Sequence, residues 1–203
     1  MRKTTVALAI VMVTLFVGMS VAQDSKSDVA VSATGILSKN SSGKGTTLDP
    51  TNSAGFLASY RYSFTQHSAV ELNYGYTRNS QVFTNATTTS RVSNNVHEVT
   101  AAYVYKFGKF DGGKLQPFVL AGTGALIFSP RSDATNQVAG ADTQAKAVFL
   151  YGGGLDYKVM KNVAIRGQYR GLLYSAPDYS LSTLKTSANG HVAEPTLGIV
   201  FRF

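Results

Sequence analysis

The sequence predicts an all-β protein, an eight-stranded antiparallel up-and-down transmembrane β-barrel. Three observations predict it. Eight segments alternate apolar and polar residues with period two, the signature of half-buried strands. The connections between them are short and long in strict turn, as in a barrel with tight turns at one end and open loops at the other. Charged residues inside the segments keep to one parity, and the aromatics are read on the other.

The chain starts "MRKTTVALAIVMVTLFVGMSVAQ". Arg2 and Lys3 supply a charged start, residues 4–19 are uncharged and mostly apolar, and Ser20 and Ala22 are small residues suited to a cleavage site. The pattern predicts a signal peptide over 1–22, cut after Ala22, with the barrel over 23–203. A retained membrane anchor is the alternative, but the run is short against the roughly 20 residues a spanning helix needs. The sequence has no cysteine, so neither a lipid-attachment site nor a disulfide is available. No later apolar run is long enough for a spanning helix. Lys and Arg number 19 against 11 Asp and Glu, a net of +8, which falls to +6 without Arg2 and Lys3. A basic surface suits nucleic acid or anionic lipid; export leaves lipid as the expected partner and nucleic acid as none.

The strand segments fall near 28–38, 54–64, 69–78, 95–107, 116–128, 145–157, 163–174 and 190–203. Each is about as long as a transmembrane strand, roughly 9–11 residues or slightly more. "TQHS" (65–68), "GKFDGGKL" (108–115) and "VMKN" (159–162) are the short turns. The connections 39–53, 79–94, 129–144 and 175–189 are long and rich in Ser, Thr, Asn and Gly. "SKNSSGKG", "TNATTTS" and "SNNV" in them suggest mobility more than a shaped site.

One face reads Phe56, Tyr60, Tyr62 and Phe64 in the second segment, Val70, Leu72, Tyr74 and Tyr76 in the third, and Val99, Tyr103, Tyr105 and Phe107 in the fourth. It is read to continue through Phe118, Leu120, Leu126 and Phe128 in the fifth. Phe149, Tyr151, Leu155 and Tyr157 carry it in the sixth, Val163, Ile165, Tyr169 and Leu173 in the seventh, and Leu197, Ile199, Phe201 and Phe203 in the eighth. The opposite face holds Arg61, Glu71, Glu98, Lys106, Asp156, Arg166, Arg170, Glu194 and Arg202, with small residues such as Ser59, Ser63, Ala121, Thr123, Ala125, Gly152 and Gly154. A soluble barrel would turn the aromatics inward. Small residues suit a narrow lumen, and Tyr and Phe at the ends of the apolar face suit interfacial girdles. The expected arrangement is therefore apolar outside and charged inside. A Lys or Arg on the lipid face would cost about 2–4 kcal/mol at mid-depth.

The candidate site is the lumen charge network: Arg61, Glu71, Glu98, Asp156, Arg166, Arg170 and Glu194. A hairpin centred on Gln66 sets Arg61 opposite Glu71, and one centred on Lys161 sets Asp156 opposite Arg166. Arg170 and Glu194 lie at similar heights, while Glu98 has no neighbour in register and must reach across. Buried charges have to be paired, so the network is expected to plug the lumen, with a gated polar pathway as the sharper alternative. His67 lies in a turn, His191 starts the last segment, and His97 faces lipid by parity with Glu98 pointing the other way. This is a poor match to a lipid hydrolase, which needs an acid to orient its His, so no catalytic residue is assigned. No His/Asp/Glu group has metal-ligand spacing, and "LAGTGALIF" and "YGGGLDY" lack the strand-then-helix context of a phosphate loop; no cofactor or metal is expected. The long connections carry Lys39, Lys44, Arg78, Arg91, Arg131 and Lys185 against Asp49, Asp133, Asp142 and Asp178. That mildly cationic rim suits lipopolysaccharide phosphates, and these connections are the expected contact region for any external partner.

The sequence ends "EPTLGIVFRF", with Leu197, Ile199, Phe201 and Phe203 on one parity. The expectation is that this last strand closes the barrel onto the first. The tail resembles the C-terminal assembly signal of outer-membrane proteins. With the signal peptide, eight strands and loop asymmetry, residues 24–203 resemble the small outer-membrane β-barrel family typified by the membrane domain of outer membrane protein A. The resemblance is architectural, with no sharp motif beyond the tail, and lacks the periplasmic peptidoglycan-binding domain of some members. It implies an outer membrane location in a Gram-negative-type bacterium and reading of the tail by the assembly machinery. It also implies a structural or surface-interaction role in envelope integrity or adhesion, with a narrow solute channel as the alternative.

Overall fold

Backbone N–H and C=O groups in hydrocarbon have no water to bond, so strands that cross a bilayer must close on themselves. A computed structural model describes residues 26–43, 46–84, 89–131, 142–177 and 189–203. The expected signal peptide and its cut lie outside the described residues, as do Lys44, Asp133, Asp178 and Lys185. The strands are β1 (Ser27–Ser38), β2 (Ser41–Gly43), β3 (Thr46–Pro50), β4 (Ser53–Ser63), β5 (Ser68–Thr84), β6 (Thr89–Lys106), β7 (Leu115–Pro130), β8 (Gln144–Lys158), β9 (Val163–Ser175) and β10 (Asn189–Arg202). Eight of them form the barrel: each sequential neighbour among β4 to β10 pairs antiparallel, and β1 pairs with both β4 and β10. The seam runs from Asp28 opposite Arg202 to Ser38 opposite Val192. At its lower end Ser27 and Phe203 exchange backbone hydrogen bonds of 3.1 and 3.0 Å.

The short turns are built locally. In the β4–β5 turn the Thr65 hydroxyl accepts from the backbone N–H groups of His67 and Ser68 at 3.2 and 2.8 Å. The β6–β7 turn contains one 3-10 turn at Asp111–Gly113, where Gly112 and Gly113 supply left-handed backbone at φ of 61° and 89°.

The long connections correct the sequence reading in part. Much of 39–53 and 79–94 is strand, not loop. β2 and β3 form a small hairpin, β3 continues along β5 from Thr47 opposite Thr84 to Pro50 opposite Gln81, and β5 pairs with β6 up to Thr84 opposite Thr89. The "SNNV" stretch lies within β6. The reason is physical: beyond the bilayer both faces of a strand can be wet, so the backbone ladder continues where apolar alternation stops.

Sidedness follows the expected inversion on every strand whose aromatic face was assigned except β7. Tyr62, Phe64, Tyr103, Tyr105, Phe107, Tyr157 and Phe201 ring the short-turn end on the outside, and Phe56, Tyr74, Leu72, Phe149 and Leu197 are also exposed there or above. On β7 the parity is the reverse of the reading. Phe118, Leu120, Leu126 and Phe128 point inward, Phe118 being only 2% exposed, while Val119, Ala121 and Thr123 face out. Ala121 and Thr123 therefore leave the lumen face, and Phe118 leaves the girdle. β7 carries no charge between Leu115 and Pro130, so nothing in the strand itself marked its inner parity.

β7 also presses tightly on β6. A Cβ added to Gly122 would lie 2.1 Å from the Ala101 carbonyl oxygen, whereas one added to Gly167 on β9 would meet nothing within 4 Å. Gly122→Ala should therefore cost about 1–3 kcal/mol through overpacking. Gly167→Ala should stay within about 0.5 kcal/mol. Urea unfolding of the reconstituted protein, followed by the gel-mobility shift between unboiled and boiled samples, reads both.

Candidate functional site

The lumen contains two ionic clusters at different heights. The lower one forms around Arg61, Glu71, Asp156 and Arg166. Register sets Arg61 opposite Glu71 and Asp156 opposite Arg166. Arg61 Nε donates to Glu71 Oε2 at 2.8 Å. Arg166 donates to both Asp156 oxygens, from Nε at 2.7 Å and Nη2 at 2.9 Å, the bidentate geometry that a planar guanidinium favours. Its Nη1 reaches Glu71 Oε2 at 3.3 Å. One guanidinium thus ties β9 to β8 and, across the lumen, to β5.

The sequence reading lacked three members of this cluster. Asp28 on β1 accepts from Arg166 Nη2 at 3.2 Å. Arg202, assigned to the inner face but not to the network, donates to Asp156 Oδ2 at 2.9 Å. Phe118 packs its ring 4.2 Å from the Arg61 Cζ and 5.3 Å from the Arg166 Cζ. The inward turn of β7 thereby gives two buried guanidiniums an aromatic face, a favourable cation–π arrangement. Asp28 was legible from its parity with the β1 residues that follow; the aromatic platform had no signal apart from the β7 register. Lys106 sits nearby and donates to Ser63 Oγ at 2.7 Å.

The upper cluster lies one step outward. Arg170 and Glu194 are opposite each other in register, and Arg170 Nη1 donates to Glu194 Oε2 at 2.9 Å. Glu98 reaches across from β6 to the same guanidinium, pairing with Nη2 through Oε1 and with Nη1 through Oε2 at 3.4 Å. Thr100 donates to Glu98 Oε1 at 2.9 Å. One cation here serves two carboxylates. Between the clusters, both amide atoms of Asn73, Oε1 of Gln168 and Oγ1 of Thr196 are buried without a protein partner. A small cavity lined by Thr34, Leu57, Thr77, Val96, Glu98 and Glu194 adjoins the upper carboxylates.

Above the upper cluster the lumen is apolar. Ile36, Leu126, Phe128, Val148, Leu150, Leu172, Tyr174 and Val192 are buried together, with the Phe128 and Tyr174 rings 5.7 Å apart. This layer includes two of the β7 side chains that the sequence reading had turned to lipid.

The other singled-out residues lie elsewhere. His97 is on the outer face, where its Nδ1 is 2.9 Å from the Tyr74 hydroxyl and its ring 5.2 Å from that of Tyr76; Glu98, its neighbour in sequence, is inside. His191 pairs with Tyr151 through Nε2 at 2.9 Å. His67 stacks on Tyr105 in the short turn region. Leu197, Ile199 and Phe201 project outward from β10, and Phe203 is half-buried at the seam.

A closed antiparallel barrel with aromatic rings outside and paired charges inside is the architecture of a membrane-spanning β-barrel. The chain belongs to the outer membrane protein beta-barrel domain family, which matches residues 8–203, and its place is the outer membrane. No curated protein matches it. Among solved structures it is similar to the outer membrane protein OprG of Pseudomonas aeruginosa, at 12% identity and a TM-score of 0.63 over 90% of this chain and 98% of that one. Neisserial surface protein A matches at 16% identity and a TM-score of 0.59, over 86% of this chain and 97% of the other. Ail, the attachment invasion locus protein of Yersinia pestis, matches at 22% identity and a TM-score of 0.51, over 89% and 100%. At these identities the likeness is one of fold.

Arg166 is the centre of the lower cluster, so its loss would strand Asp28, Glu71 and Asp156 in a buried space. Removing one partner of a buried ion pair costs about 3–5 kcal/mol. Arg166→Met should lower stability by that amount in a urea titration of the reconstituted barrel.

Proposed function

We propose that this chain is a non-conducting, non-enzymatic outer-membrane barrel with a structural or surface-contact role. In this reading the short turns face the periplasm and the long connections face outward. What supports it most is the filling of the lumen: a lower ionic cluster, an upper ionic cluster and an apolar layer lie in series. An eight-stranded barrel has an interior that side chains can fill, and here they occupy it from both chemical classes.

The outer end supports surface contact. β5 and β6 run for 17 and 18 residues, more than the roughly 9–11 needed to cross. Their paired ends, braced by β3, extend the wall past the lipid as a hydrogen-bonded ribbon. An external partner would meet this ribbon together with the connections around it. Lipopolysaccharide phosphates are a proposed ligand of the rim, where Arg78 is held at the surface by donating to the Tyr76 hydroxyl at 3.0 Å. The outer-membrane assembly machinery is the proposed reader of Leu197, Ile199, Phe201 and Phe203.

A narrow solute channel is the second reading, favoured by the unpartnered Asn73, Gln168 and Thr196 atoms between the clusters. Planar bilayers separate the two. The purified protein should give no steady conductance steps, and uniform steps from the unmodified protein would overturn the plug. Arg170→Ala leaves Glu98 and Glu194 without their guanidinium, so it should add brief openings and lower the unfolding midpoint.

A further inference from the structure

The short-turn rim is electrically lopsided. The β6–β7 turn carries Lys109 and Lys114, and the β8–β9 turn carries Lys158 and Lys161, all exposed. The two turns are joined directly, the Lys158 N–H donating to the Lys114 carbonyl at 2.8 Å. Asp111 is the one acid among them, and none of the four lysines makes an ion pair among the described residues. Across the barrel, the β4–β5 turn (Thr65, Gln66, His67) holds no formal charge, and Arg202 is turned inward to Asp156. Lys26 is the remaining basic residue on that side.

The basic side also carries apolar tips. Met160 is 65% exposed, Phe110 55% and Val159 51%. Their height matters. Lys158 follows the lipid-facing Tyr157 directly, and Lys109 comes two residues after the lipid-facing Phe107. At about 3.3 Å per strand residue, the lysine stems start within roughly 7 Å of the aromatic girdle. Lysine stems there can lie along the apolar boundary with the ammonium at headgroup level. A soluble acidic partner would explain the charge but not the bare Met160 and Phe110 at this depth.

We infer that Lys109, Lys114, Lys158 and Lys161 form a binding site for anionic phospholipid headgroups of the periplasmic leaflet, seated by Phe110 and Met160 at the interface. The inference rests on the proposed orientation, with the short turns in the periplasm. The site tethers one side of the barrel to acidic lipid and leaves the other side indifferent.

The test is lipid retention. Purified protein in detergent is offered equal amounts of phosphatidylglycerol and phosphatidylcholine, and retained lipid is counted by native mass spectrometry. The unmodified protein should prefer phosphatidylglycerol by roughly tenfold or more, given the attraction of clustered lysines to anionic lipid, and the preference should shrink at high salt. The fourfold variant K109Q/K114Q/K158Q/K161Q should lose the preference, the corresponding fourfold Lys→Arg variant should keep it, and K26Q should match the unmodified protein. Unboiled gel mobility confirms that each variant is folded. No preference in the unmodified protein, or a preference that survives the fourfold Gln change, would overturn the site. Orientation is read separately with a membrane-impermeant amine reagent on intact cells. Labelling of Lys109 or Lys161 there would overturn the orientation while leaving the lipid preference measurable.

Discussion

Water cannot reach the wall of this barrel, and that exclusion decides most of what the wall contains. Each crossing strand must find both its backbone partners in protein, so β1 is paired on two sides, with β4 and with β10. Once the ring is closed, period-two geometry divides every strand between lipid and lumen. The lipid side then tolerates Tyr60, Leu72, Tyr103 or Leu197 and penalises charge. Every polar side chain that the strands carry at mid-depth has to be accommodated within, in a space eight strands wide.

That confinement sets the energetics of the lumen. A lone buried ion costs several kcal/mol, and attraction to a partner offsets this only when geometry is good and the remaining donors are used. Arg166 meets the condition with four hydrogen bonds to three carboxylates and an aromatic face against it. The Phe118 ring is part of the solution: it fills volume beside two guanidiniums while presenting its electron-rich face. Apolar and ionic groups therefore cooperate in this lumen, and a purely polar interior would have left the guanidinium faces without packing.

The fold was legible because the bilayer penalty writes directly into parity. Charges such as Arg61, Glu71, Arg166 and Arg170 mark the inner face of their strands, and turn counting from Gln66 and Lys161 is enough to set Arg61 against Glu71 and Asp156 against Arg166. β7 shows the limit of that signal. It carries aromatics on one parity and Gly, Ala and Thr on the other, with no charge to break the tie, so residue size pointed the wrong way. Its register against β6, with Tyr103 opposite Ala121 and Tyr105 opposite Val119, could have settled the face, since paired residues share a side. The outer ends of β5 and β6 were illegible for a different reason: Ser80, Asn94 and Asn95 have water or protein polar groups on both sides, and no hydropathy pattern is left to read.

The order of layers along the lumen gives the plug a selectivity argument of its own. An ion entering from the long-connection end first meets Leu126, Phe128, Leu172 and Tyr174, where shedding hydration is unfavourable whatever its sign. Behind them stands the upper cluster, with Glu98 and Glu194 against Arg170 alone, a formal excess of negative charge that opposes anions. The lower cluster sets Arg61, Arg166 and Arg202 against Asp28, Glu71 and Asp156, with Lys106 beside them, a formal excess of positive charge that opposes cations. Total charge in the lumen balances, but the balance is split along the axis. The two excesses lie four residues apart on β9, from Arg166 to Arg170, or about 13 Å of strand, close enough to stabilise each other through a medium of low dielectric. Separating the signs by height lets one narrow interior resist both kinds of ion while remaining neutral as a whole, so neutrality within the wall is compatible with closure to either charge.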